Sequence, residues 1–188
     1  MDEQTHALFH TMITRCLAQE VAPFYPQWED AGEIPRSLWK ALGAAGLLGI
    51  DLEEAYGGSG ADIAVTQLAL EEISRQGFGG LASAYNIHAN IVMPYVQSLG
   101  SPEQKETWLP RMAQGDCLGA IAMSEPHAGS DLAAMKTRAT RIDDGWLLNG
   151  SKLFITNGQV ADLVIVCAKT DPYAGAKGVS LFLVDTTL

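Results

Sequence analysis

Residues 121–131 read I-A-M-S-E-P-H-A-G-S-D, and the chain changes character there. Helical periodicity dominates before the stretch and short strand patterns dominate after it. That order predicts an α+β fold: an all-helical N-terminal domain over residues 1–116, then an antiparallel β-sandwich or barrel-like domain over 117–188. Within the stretch, Pro126 fixes the backbone and Gly129 frees it, while Ser124 and Ser130 supply hydroxyls. Asp131 is placed to cap a short turn at Leu132–Met135, whose free N–H groups can hold an anion. A second polar strand end, Thr156-Asn157-Gly158, can line the same pocket, shaped for a flat heteroaromatic ring. Both ends also read as ordinary strand-to-loop turns, the reading that spacing alone slightly favours.

Working back towards the N-terminus, Leu8, Phe9, Met12, Ile13, Cys16 and Leu17 recur at three- and four-residue spacing and predict a helix over residues 4–21. Pro23 and Pro26 stop it, and 28–33 reads as a loop. Pro35 opens a second helix with Leu38, Trp39 and Leu42 inward. Three glycines in Tyr56-Gly57-Gly58-Ser59-Gly60 match no phosphate-binding fingerprint and read as a turn. Asp62 starts a third helix, with Ile63, Leu68, Leu70 and Ile73 inward and Glu71, Glu72 and Arg75 outward. A fourth runs over residues 81–99, with a kink expected at Pro94 and His88 read as a core or surface histidine. Ser101-Pro102-Glu103-Gln104 is a capping box for a fifth, facing inward through Trp108, Leu109 and Met112.

Beyond the stretch, strands are expected over 117–123, 136–142, 146–148, 152–156, 163–169 and 179–185, with turns at Asp143-Asp144-Gly145, Asn149-Gly150 and Asn157-Gly158. A sheet this brief would leave an open apolar edge, so the chain reads as the N-terminal part of something longer.

Composition narrows the classes. Twelve basic and 22 acidic residues give a net charge of −10, which argues against nucleic acid as a partner. No apolar run reaches the length of a membrane span. Cys16, Cys117 and Cys167 are odd in number and lack C-x-x-C spacing, so they read as small buried hydrophobes in a reducing compartment. His6, His10, His88 and His127 lack partners at metal-ligand spacing.

The stretch A-M-S-E-P-H-A-G-S-D, followed by L-N-G-S-K-L-F-I-T-N-G and A-D-L-V-I-V-C-A-K-T, resembles the acyl-CoA dehydrogenase family. G-L-L-G-I-D-L-E-E-A-Y-G-G-S-G and M-P-Y-V extend the resemblance through the helical part. W-E-D-A-G-E-I-P-R and I-V-M-P-Y-V are similar to its long-chain branch. The resemblance implies a three-part fold whose C-terminal helical bundle lies outside these 188 residues. It implies FAD-dependent α,β-dehydrogenation of medium- or long-chain fatty acyl-CoA to trans-2-enoyl-CoA in fatty acid β-oxidation. Electron-transferring flavoprotein would be the acceptor, and the assembly a homo-oligomer, a tetramer in the family. The location would be cytoplasmic, or the mitochondrial matrix if the source is eukaryotic. The alternatives are a dehydrogenase of carrier-protein acyl thioesters, or a non-catalytic flavin- and CoA-binding fragment.

Residue by residue, the resemblance assigns Met123, Ser124, Phe154, Ile155 and Thr156 to the flavin. Gly129 and Ser130 fall to the CoA portion, and Ala82, Ser83 and Asn86 to the far end of the acyl cavity. Its catalytic base is expected beyond Leu188, so the 188 residues alone should be inactive. Glu125 keeps a structural place, and His127 stands where the family usually has glycine.

Overall fold

The computed structural model of the protein describes residues 3–187. Two compact units divide the chain, Met1–Leu118 and Gly119–Leu188. No helix among the described residues is long and apolar enough to cross a membrane.

The first unit is helical. Helix α1 (Glu3–Cys16) continues as a wide turn over Leu17–Val21, burying Ile13, Cys16, Leu17 and Val21 while Leu8 stays exposed. Where a loop was expected there is a short helix, α2 (Tyr25–Ala31). Pro26 starts this helix instead of ending the previous one, because a missing N–H costs nothing in a first helical turn. Gly32 ends it in a left-handed conformation, φ 68°. Helix α3 (Arg36–Ala44) buries Leu38, Trp39 and Leu42 as its spacing requires.

The glycine-rich turn is spent on the protein itself. Ser59, Gly60 and Ala61 donate their N–H groups to Gly49, Leu52 and Ile50. A Cβ on Gly58 would lie 2.1 Å from the Leu52 carbonyl oxygen. The loop is a close backbone crossing with no amides left to cradle a phosphate.

Asp62 caps α4 (Ile63–Arg75) by accepting from Ala64 N–H at 2.8 Å. The buried face is Val65, Leu68, Ala69, Glu72 and Ile73, an i, i+3, i+4, i+7, i+8 set. This places Ile63 outside and Glu72 inside, the reverse of the expected orientation for both. Glu72 is tolerated there because Arg75 and His10 reach its carboxylate at 2.7 and 3.1 Å. Arg75 chiefly, and His10 with it, hold the carboxyl below its ordinary range.

The same face buries the Thr66 hydroxyl without a hydrogen-bond partner. A buried, unpaired hydroxyl costs about 1–3 kcal/mol. Thr66→Val should therefore raise stability by about 1 kcal/mol, measured by urea denaturation; an unchanged or lower midpoint would mean that the hydroxyl is satisfied.

Helices α5 (Gly79–Tyr85) and α6 (Met93–Leu99) are joined by a wide helical segment, Asn86–Val92. Met93 N–H reaches back five residues to His88. The loosening relieves Pro94, whose ring would clash with a carbonyl in a regular helix. His88 is fully buried, edge-on to Trp39, with Nε2 3.2 Å from the Met112 carbonyl oxygen. Helix α7 (Pro102–Ala113) carries the expected capping box: Ser101 N–H donates to Gln104 Oε1, and Gln104 N–H to Ser101 Oγ.

The second unit is one sheet of β1 (Gly119–Ala122), β2 (Arg138–Ile142), β3 (Gly145–Asn149), β4 (Leu163–Lys169) and β5 (Val179–Asp185). β4, the near-continuous apolar run, is its centre. β5 runs antiparallel along all of β4, from Leu163 opposite Asp185 to Lys169 opposite Val179. A strand has two edges, so β1 and β2 share the other one. β1 lies parallel to the first half of β4, and β2 meets it at Arg138 opposite Lys169. β2 and β3 form the hairpin expected around Asp143-Asp144. The antiparallel expectation thus holds for β2–β3 and β4–β5, and the sheet is mixed. β1 and β4 are parallel because a long excursion, not a tight turn, separates them.

The strand expected over 152–156 does not form. Phe154 and Asn157 take left-handed conformations, φ 55° and 65°, and no ladder runs through such residues. The apolar alternation that suggested a strand is present, but the backbone turns twice.

Candidate functional site

The sheet leaves one gap on β4, between the end of β1 at Ala122 and the start of β2 at Arg138. The stretch read first crosses that gap. Glu125 to Ala128 is a tight turn, with Pro126 at its second position and paired backbone bonds between Glu125 and Ala128 of 2.8 and 3.2 Å. Pro126 and His127 form its exposed tip, while Ala128 is buried against Met135 and Cys167.

The Glu125 side chain folds under the turn. Its carboxylate accepts from Lys136 N–H at 2.6 Å, Thr137 N–H at 3.0 Å and the Lys152 ammonium at 2.8 Å. Burial pushes this carboxyl up, but donation by Lys136, Lys152 and Thr137 outweighs it and holds the group at about 2. A carboxylate held that low is a poor proton acceptor. Its work is to satisfy the backbone where β2 begins.

Because the folded value lies below the ordinary 4.5, this group stabilises the fold above pH 4.5. The contribution is lost as pH falls from there towards 2. It amounts to on the order of 3 kcal/mol. Urea midpoints of the wild type and Glu125→Gln should converge over that window; a gap that stays constant would mean that the carboxylate is not held ionised.

Lys152 Nζ also donates to the Met123 carbonyl oxygen at 2.9 Å. Next along the chain, Leu153 N–H donates to the Ser124 carbonyl at 2.9 Å, and Asn157 Nδ2 to that of Gly119 at 3.2 Å. These bonds lash the irregular segment 152–157 to β1 and its continuation. Met123 and Ser124 are thereby brought beside the chain that carries Phe154, Ile155 and Thr156. Met123, Ser124, Ile155 and Thr156 are half-buried; the Phe154 ring is 93 % exposed and stands on left-handed backbone. Strained backbone carrying an uncovered ring is a feature of ligand-binding positions.

Gly129 and Ser130 are exposed at the end of the tight turn, and a Cβ on Gly129 would meet open space. The capping expectation for Asp131 is not met. Its carboxylate makes no cap bond, and Leu132–Ala134 is a single tight turn whose Ala134 N–H is taken by the Asp131 carbonyl. In the helical unit, Ala82 is buried, Ser83 exposed and Asn86 half-buried; Asn86 Oδ1 accepts from Asn90 Nδ2 at 3.1 Å. No cluster of His, Cys, Asp or Glu among the described residues can hold a metal ion. The three cysteines are buried and form no disulfide, and burial pushes the Cys16 and Cys167 thiols up.

The residue that sequence reading missed is Lys152. A lone cation inside L-N-G-S-K-L-F-I, with Glu125 27 positions earlier in the dividing stretch, was the available signal.

The family description "Acyl-CoA dehydrogenase, N-terminal domain" matches residues 3–116, and "Acyl-CoA dehydrogenase, middle domain" matches 120–188. The chain is 46% identical to the long-chain specific acyl-CoA dehydrogenase, mitochondrial, of Rattus norvegicus over 182 residues, 96% of this chain and 42% of that protein. The crystal structure of acyl-CoA dehydrogenase from Geobacillus kaustophilus superposes with a TM-score of 0.93 at 42% identity, over 99% of this chain and 49% of that one. A glutaryl-CoA dehydrogenase from Mycobacterium smegmatis in complex with FADH2 gives 0.89 at 34% identity, over 99% and 46%. The chain therefore spans a little under half the length of these relatives. On these matches, it belongs to the acyl-CoA dehydrogenase family.

Proposed function

We propose that this chain supplies the helical and middle portions of an FAD-dependent enzyme that oxidises fatty acyl-CoA thioesters to trans-2-enoyl-CoA. One observation carries the reading. The strand end at Met123–Ser124 and the strained, irregular segment Leu153–Thr156 are bonded together, and beside them an exposed aromatic ring awaits cover. Hydroxyls, backbone groups and an apolar ring on adjoining segments suit a flat heteroaromatic ligand. FAD, when bound, supplies the hydride acceptor that no protein side chain can offer.

The chain's own residues bind and orient. Met123 and Ser124 hold one edge of the flavin ring through backbone and hydroxyl. Ile155 and Thr156 hold a second edge, and Phe154 flanks it. Gly129 and Ser130, exposed and sterically open, meet the CoA portion of the thioester. Ala82, Ser83 and Asn86 shape the far end of the acyl cavity, where small side chains suit a long chain. A carboxylate following Leu188 in the full-length protein removes the α-proton, since Glu125 is committed to its donors. Electron-transferring flavoprotein takes the electrons, and the enzyme is a homo-oligomer, in the mitochondrial matrix if the source is eukaryotic. The boundary between helical and middle domains lies at about residue 116.

The full-length protein, given straight-chain and 2-methyl-branched acyl-CoA and carrier-protein acyl thioesters with electron-transferring flavoprotein, should form 2-enoyl-CoA and favour long straight chains in kcat/KM. Product from carrier-protein thioesters alone, or from none of the panel, contradicts the proposal.

A further inference from the structure

We infer that Lys152 is a positioning residue for the flavin site, acting as a strut between its two protein edges. The inference rests on the flavin reading above. Segment 152–157 is not a strand, so no ladder fixes its place. Phe154 and Asn157 instead hold left-handed backbone, a conformation that persists only where neighbours over-determine it. On the N-terminal flank of Phe154 those neighbours are two consecutive bonds: Lys152 Nζ to the Met123 carbonyl and Leu153 N–H to the Ser124 carbonyl, each 2.9 Å.

Lys152 reaches two partners at once. The same ammonium lies 2.8 Å from Glu125 Oε1, with the two side chains only 11% and 4% exposed. Glu125 is itself anchored on the N–H groups of Lys136 and Thr137. A chain of bonds therefore runs from the start of β2, through Glu125 and Lys152, to Met123 and the turn that carries Phe154. A buried ion pair adds little net stability over an apolar pair of the same shape. It does fix geometry, because the ammonium can satisfy both oxygens only from one place. Loss of the strut frees the turn to relax from its strained form, and the two edges then no longer match one rigid ring.

The test is FAD binding by the full-length apoprotein, with thermal unfolding of the same apoprotein beside it. Lys152→Met should weaken FAD affinity at least about tenfold, as loss of a partner that orients a ligand-binding group does. It should also change the visible absorption shape and the midpoint potential of whatever flavin remains. Lys152→Arg, which keeps the cation and its donors, should recover most of the affinity. Should Lys152→Met fail to fold, Lys152→Gln replaces it, keeping a donor that can reach one oxygen but not both, with an intermediate loss expected. A variant that lowers only the apoprotein's melting temperature, with FAD affinity, spectrum and potential as in the wild type, overturns the strut. A wild-type protein that takes up no FAD overturns the flavin reading itself, which is a different result.

Discussion

Glu125→Ala should destabilise the protein by about 3–5 kcal/mol, as removing one partner of a buried ion pair does. The loss has two sources. Lys152 loses its carboxylate partner with its side chain only 11% exposed, and the N–H groups of Lys136 and Thr137 lose their acceptor. Each orphaned donor adds about 1–3 kcal/mol before relaxation and water entry reduce it. The double variant Glu125→Ala, Lys152→Met should be more stable than Glu125→Ala alone, because the stranded cation is gone. Chemical denaturation of wild type, both single variants and the double gives the coupling. Single-variant losses that simply add would mean that the pair is not coupled.

Gly115→Ala should cost a comparable amount. Gly115 follows α7 with φ 74°, and a Cβ there would lie 2.1 Å from the Trp39 carbonyl oxygen and 2.4 Å from its carbon. Left-handed backbone costs an L-residue about 1–2 kcal/mol, and forcing α3 away from the turn adds about 1–3 kcal/mol of overpacking. Gly46→Ala is the control: φ is 70° but nothing lies within 4 Å of the added carbon. It should lose only the backbone part, about 1–2 kcal/mol. Equal losses at the two positions would show that the close crossing contributes nothing.

The contrast between these glycines shows what a sequence discloses. Local signals were readable: the Ser101–Gln104 box, the Asp62 cap and the Asp143-Asp144 hairpin each lie within a few residues of what they determine. Orientation was less so. Glu72 reads as an outward charge until His10, 62 positions away, is seen beside it. Pro26 reads as a helix stop because a proline ends one helix by the same property that lets it begin another. The run 152–156 reads as a strand because apolar alternation records side-chain type and not φ. The parallel partnership of β1 and β4 joins residues more than forty positions apart, and nothing local encodes it.

At the site, the motif was legible and its wiring was not. Glu125 stands in the stretch that divides the chain, yet its work depends on Lys152, 27 positions further on. The helical part tells the same story on a smaller scale: Pro94 announces a kink, but the chain answers with a wide segment at Asn86–Val92 that no periodicity predicts.

Backbone hydrogen–deuterium exchange of the full-length apoprotein, with and without FAD, tests the central claim most directly, because it asks where the flavin edge lies without requiring turnover. FAD should slow exchange at Ser124 and across residues 153–158. Protection confined to other parts of the protein, with those two segments exchanging as in the apoprotein, would contradict the account.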